Sequence, residues 1–167
     1  MAADAPPGTW FCCRRRVEFR DTDAAGIAHF SAFFFWMESA EHEFLRHLGL
    51  KVVDHDPDDA ATVLSQLPGG TPAEQRLEVS WPRVSVAADY KAAVRFGDEV
   101  DVAVAVAEIG GSSVGYRFRF ESAGRLVATG RVVAVRCVMQ AGKKPVPVRL
   151  SPLLVSRFEP HLLPAEA

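Results

Sequence analysis

Cysteine is scarce in this chain, with three residues in 167: Cys12, Cys13 and Cys137. Cys12 and Cys13 are adjacent, so they face opposite sides of any strand. Cys137 is remote. No metal-ligand spacing results, and an odd count makes a poor disulfide framework, which leaves reduced structural cysteines as the reading. A long apolar run is also missing. The longest mainly apolar stretch, Ile27 to Met37, is interrupted by His29 and Ser31 and falls far short of the ~20 residues that span a bilayer. Neither charge sign is in excess: the formal net charge is −2, so no bulk basic field points to nucleic acid. The first eight residues carry neither the basic region nor the apolar core of a secretory signal. The expectation is a cytoplasmic protein with no membrane or nucleic-acid partner, no metal and no cofactor. No internal repeat is visible.

What is present is an ordinary globular composition, 49% apolar and 24% charged. The length fits one domain with a real core. Residues 1–9, with Pro6, Pro7 and Gly8, form a tail. The domain proper is expected over 10–150, with 151–167 as a C-terminal extension.

The chain is organised around residues 19–48. A polar loop carries Asp21, Asp23 and Gly26. A long helix follows, ending at Gly49. Phe30, Phe33, Phe34, Met37, Ala40, Phe44 and Leu48 fall on one helical face. Ile27, Phe35 and Trp36 make the first half apolar nearly all round, which predicts burial on most sides. Glu38, Glu41, His42, Glu43, Arg46 and His47 take the second half towards water. Ser31 is the expected cap.

Before the loop, charged and apolar residues alternate from Trp10 to Arg20, the period of a strand with one wet face. Residues 51–75 are the least organised, with an acidic run from Asp54 to Asp59 read as a solvated loop and a short strand expected over 62–67. Strand follows strand thereafter: Arg76–Arg95 with Pro82 at an edge or bulge, Glu99–Glu108, Val114–Glu121 and Leu126–Met139. Turns fall at Phe96-Gly97-Asp98, Gly110-Gly111-Ser112-Ser113 and Ser122-Ala123-Gly124. A short terminal helix is expected within Leu150–Leu163. One dominant early helix and segregated strands give an α+β class with an antiparallel sheet. To cover a helix apolar nearly all round, that sheet should curl about it.

The stretch Val17-Glu18-Phe19-Arg20-Asp21-Thr22-Asp23-Ala24-Ala25-Gly26-Ile27-Ala28-His29-Phe30, with Trp36-Met37-Glu38-Ser39-Ala40 and Phe44-Leu45 after it, resembles the hotdog-fold acyl-CoA thioesterases, specifically the 4-hydroxybenzoyl-CoA thioesterase group. Tyr90 to Asp98 is a second, weaker match, and the resemblance spans roughly residues 13 to 140. It implies a single hotdog domain, a sheet of about five antiparallel strands wrapped round the helix. It implies that Asp23 carries catalysis, that the backbone N–H of Phe30 binds the thioester carbonyl, and that Gly26 is the motif glycine. It also implies a homodimer or homotetramer with active sites at subunit interfaces. The chain departs from the pattern at Ala93, where proline is common, at Glu41, where arginine is common, and in a longer 51–75 segment. The active carboxylate stays in place, and the acyl group is left open.

Thioester hydrolysis suits so sparse a kit. The leaving thiol, with a pKa of roughly 8.5, departs as thiolate without an obligatory general acid. Asp23 can activate water or attack the carbonyl itself. Helix N–H groups near Phe30 can hold the developing oxyanion, and Gly26 lets the loop backbone approach a ligand. Asp21 is read as a loop brace and His29 as a pocket-wall histidine that can touch substrate. Glu38 is within reach of substrate or of a second subunit. Phe33 and its neighbours Phe34, Phe35 and Trp36 are core residues of which one or two wall the acyl pocket. Two competing readings remain on the same fold. One is a non-catalytic acyl-CoA binding or regulatory module. The other is a hydratase, whose histidine and carboxylate sit in a different motif from that around His29.

Overall fold

A computed structural model describes residues 10–67 and 77–164. The tail expected at residues 1–9 lies outside the described residues, as does part of the 51–75 segment. The first strand, β1 (Phe11–Arg16), leads into a 3-10 turn at Phe19–Asp21 and then α1 (Phe30–His47). Next come β2 (Val53–Asp54), a short α2 (Ala60–Leu64), β3 (Val79–Ser80) and β4 (Arg83–Tyr90). Three long strands follow, β5 (Glu99–Ile109), β6 (Ser113–Ser122) and β7 (Arg125–Val135), then β8 (Cys137–Val138), β9 (Val146–Pro147) and α3 (Pro152–Phe158).

The main sheet is five-stranded, in the order β1-β5-β6-β7-β4, with every pairing antiparallel. Its inner face is set by the period of two along each strand. Val100, Val102, Val104 and Val106 of β5 meet Tyr116, Phe118 and Phe120 of β6 and Val132 and Ala134 of β7, all buried. Onto this face α1 lays Phe33, Met37, Ala40 and Phe44. Gly130 of β7 is what lets the helix come so close, because a β-carbon there would collide with the Met37 sulfur. The helix inside a curved antiparallel sheet is the expected α+β hotdog arrangement.

The local expectations were corrected in five places. β1 stops at Arg16 because the Glu18 N–H donates to Asp21 Oδ2 at 2.9 Å and turns the chain into the 3-10 segment. The segment 76–95 is split at Pro82: β3 joins a second sheet, β2-β3-β8-β9, while β4 joins the main one. Ala60–Leu64 is helical and overlaps the first half of the segment expected as strand, 62–67. The acidic run is only partly solvated, since Asp59 is buried and accepts from both terminal nitrogens of Arg136 at 2.8 and 2.6 Å. Lastly, α1 is less enclosed than its composition suggests, with Phe30 and Phe35 58% and 67% exposed.

The C-terminal α3 is capped by Ser151, which accepts from the Leu154 N–H, and drives Phe158 into the main core against Trp81. Among the described residues no helix is long and apolar enough to cross a membrane.

Candidate active site

The loop between β1 and α1 folds back on itself. The Asp23 N–H donates to the Ile27 carbonyl at 2.9 Å, and Gly26 N–H donates to the Asp23 carbonyl at 2.9 Å. Thr22 and Ala28 form an antiparallel bridge. Gly26 has φ +71°, and a β-carbon there would meet nothing within 4 Å. Conformation and not crowding therefore selects glycine at this corner. The His29 N–H donates to the Asp21 carbonyl at 2.7 Å and the Ala28 N–H to the Val94 carbonyl at 2.8 Å, which fixes the loop to the strand connection beside it.

This folding ties the Asp21–Asp23 part of the loop back onto Ile27–His29, the residues that lead into α1. The Asp23 Oδ1 accepts the Ala25 N–H at 2.8 Å, and its second oxygen has no partner among the described residues. His29, not Ser31, is the cap. Its Nδ1 accepts the Ser31 N–H at 3.3 Å and lies 2.7 Å from the Ser31 hydroxyl. The Phe30 N–H is the first of the helical donors that have no acceptor inside the helix. Its carbonyl is tied down instead, accepting the Tyr90 hydroxyl at 3.0 Å. Asp23 and Gly26 thus share the corner of the loop, and His29 and Phe30 its exit into α1.

The thioesterase-like superfamily matches residues 17–161 of this chain. The chain belongs to the thioesterase-like superfamily. A 1,4-dihydroxy-2-naphthoyl-CoA hydrolase of Prochlorococcus marinus (strain MIT 9303) is 30% identical over 122 residues, 73% of this chain and 74% of that protein. The same-named hydrolase of Synechococcus sp. (strain CC9311) is 28% identical, over 90% of this chain and 95% of that one. Among solved structures, a gentisyl-coenzyme A thioesterase superposes with a TM-score of 0.67 at 23% identity, covering 89% of this chain and 99% of that one.

The thioesterase keeps two of the expected site residues apart from the loop. Phe33 is in the core at 3% exposure, edge-on to Trp36, Tyr90 and Phe120 with centroids 4.9, 5.2 and 5.2 Å away. Glu38 lies further along the helix, 3.8 Å from Arg83 Nη1.

Around Glu38 is a group that periodicity did not single out. Glu41 is fully buried. Its Oε2 accepts from Arg83 Nε and Nη2 at 3.1 and 3.0 Å, and Arg83 Nη2 also lies 2.7 Å from His42 Nε2. Burial pushes the Glu41 carboxyl up to about 7, although Arg83 pulls the other way. Burial, and then the Arg83 charge, lowers His42, which disfavours an imidazolium beside the guanidinium. The available signal was that Glu41 stands four residues after Met37 and three before Phe44, on the core stripe. Reading it with its charged neighbours sent it to water. Arg83 carried no local signal.

A groove of about 560 Å³ is lined by Arg15, Arg16, Arg20, Asp21, Phe35 and Trp36 among others. Burial raises the Cys13 thiol to about 11 and raises Cys12 and Cys137 as well, which disfavours the thiolate at all three. Among the described residues no cluster of His, Cys, Asp or Glu is placed to hold a metal ion.

Proposed function

We propose that this thioesterase hydrolyses an aromatic acyl-CoA thioester to the free acid and CoA, with Asp23 acting on the thioester carbonyl and the Phe30 N–H holding its oxygen. The observation that carries this reading is the closure of the loop, Asp23 N–H to Ile27 and His29 N–H to Asp21. It draws the Asp21–Asp23 part of the loop back onto Ile27–His29, the residues that lead into α1, which supports a carboxylate acting near the open helix N-terminus. An oxyanion is stabilised there by preorganised donors, each worth about 10²–10³ in rate. Asp23 serves as nucleophile or as general base for water. His29 packs on Phe30 with centroids 4.2 Å apart and walls the approach. The aromatic acyl group is suggested by the curated relatives, whose names give a dihydroxynaphthoyl thioester as substrate.

Catalysis is read as belonging to a homodimer, with each site completed by the second copy. β4 is one of the two edge strands of the main sheet, and exposed Phe35, Val84, Val86 and Tyr90 lie on it or on α1. An open apolar edge is a surface that natural proteins cover.

Thiol release from a panel of aryl- and alkanoyl-CoA esters, wild type against Asp23→Asn, tests the proposal. Turnover of aryl esters by wild type alone is expected. Equal turnover by the folded variant removes Asp23 from the chemistry. Single turnover in labelled water then separates the two routes, because direct attack puts an unlabelled Asp23 oxygen into the first product.

A further inference from the structure

His29 is an uncommon choice of helix cap. Helix starts are ordinarily held by the side-chain oxygens of Ser, Thr, Asp or Asn, as Ser151 holds α3, and a serine keeps its acceptor at any pH. On α1 the acceptor is an imidazole nitrogen. His29 Nδ1 takes the Ser31 N–H at 3.3 Å and lies 2.7 Å from the Ser31 hydroxyl. A ring nitrogen accepts only while it carries no proton, so the ring that caps is the neutral one with its hydrogen on Nε2.

This cap decides which donors at the helix start stay open. The His29 ring takes the Ser31 N–H, and the His29 carbonyl accepts the Ala32 N–H at 2.9 Å. Of the first three helical N–H groups, that of Phe30 is then left without an acceptor among the described residues. It belongs to the same peptide as the His29 carbonyl, so the two bonds that His29 makes to the first turn also hold the open donor. A proton on Nδ1 removes the lone pair that the Ser31 N–H uses and turns the nitrogen into a donor, with the Ser31 hydroxyl as its acceptor. It also places a positive charge at the positive end of the helix. The Ser31 N–H then becomes a second open donor, and the peptide that carries the Phe30 N–H loses one of its ties.

We propose that His29 is a positioning residue for the oxyanion donor: its neutral ring caps α1 and fixes the peptide that presents the Phe30 N–H, and protonation of the ring withdraws the cap and lowers turnover. This rests on the thioesterase reading, with the Phe30 N–H as oxyanion donor. The titratable or charged groups on the neighbouring elements are Asp21 and Asp23 in the loop, Arg95 in the strand connection bridged to Ile27, and Tyr90 on β4. Asp21 Oδ2 accepts the Glu18 N–H, Asp23 Oδ1 accepts the Ala25 N–H and the Tyr90 hydroxyl donates to the Phe30 carbonyl, so none of these bonds competes for Nδ1.

Two measurements test this. Nitrogen NMR of the wild-type ring is expected to show the Nε2–H tautomer at about pH 8, and the exchange protection of the Ser31 amide is expected to fall towards about pH 5, over the range in which histidines titrate. Thiol release from the preferred ester of the panel is followed over the same range. Wild-type kcat is expected to fall by about tenfold with KM little changed, a fraction of the 10²–10³ that a lost oxyanion donor costs. His29→Asn supplies a cap oxygen that does not titrate, and its kcat should fall across the range only as far as protonation of Asp23 dictates. A neutral ring carrying its hydrogen on Nδ1 overturns the proposal and needs no variant. An acid fall in folded His29→Asn equal to that of wild type overturns it as well. Failure of folded wild type to release thiol from any ester is a separate result, which overturns the thioesterase reading itself, whereas the tautomer bears on the cap.

Discussion

The Tyr90 hydroxyl donates to the Phe30 carbonyl at 3.0 Å and so ties the edge strand β4 to the first residue of α1. The Tyr90 ring also packs edge-on against Phe33 with centroids 5.2 Å apart. The bond orients the peptide whose neighbouring N–H is proposed to hold the oxyanion. Tyr90→Phe keeps the ring and removes the bond. We expect a loss of about 1 kcal/mol in stability and a several-fold fall in kcat with KM little changed. An unaltered kcat would show that the helix start is held without this contact.

Gly26 adopts φ +71° in open surroundings. Gly26→Ala meets no clash, so its cost is conformational, about 1–2 kcal/mol. Chemical denaturation should register that loss. If the loop instead relaxes to avoid the strain, activity should fall by much more than stability does.

Arg136 and Asp59 form a buried, doubly hydrogen-bonded pair that pins the α2 segment to the end of β7. Asp59→Asn leaves the guanidinium buried without its counter-charge and should cost about 3–5 kcal/mol. Asp59→Leu combined with Arg136→Met should recover much of it. A double variant as unstable as the single one would assign the loss to packing.

Burial raises Glu41 from 4.5 to about 7, a rise that the Arg83 ion pair only partly offsets. The folded state therefore holds that proton more tightly than the unfolded chain. The corresponding stability is complete below about pH 4.5 and is lost as pH rises through 7, by on the order of 3 kcal/mol. Glu41→Gln carries no such proton. Relative to wild type, its unfolding free energy should therefore rise across that window and level off above it. Parallel pH profiles for the two proteins would remove Glu41 as the titrating group.

Phe35 projects into solvent from α1, 67% exposed. In the proposed homodimer that face is covered, and Phe35→Lys should convert the assembly to monomer by light scattering while the fold survives. Unchanged mass would place the interface elsewhere.

By itself, the sequence determined what contiguous residues can determine. Alternation marked the inner faces of β5 and β6, helical spacing marked α1, and Asp23, Gly26, His29 and Phe30 sit so close along the chain that one short loop had to gather them. The tertiary structure decided the rest. Pro82 lies where the chain passes from one sheet to the other, and no local pattern says which partner each half takes. Arg83 reaches Glu41 from 42 residues away, and Arg136 reaches Asp59 from 77 away. A charged side chain on an apolar stripe looks solvated until its counter-charge is known, and that counter-charge arrives only when the edge strand docks on the helix.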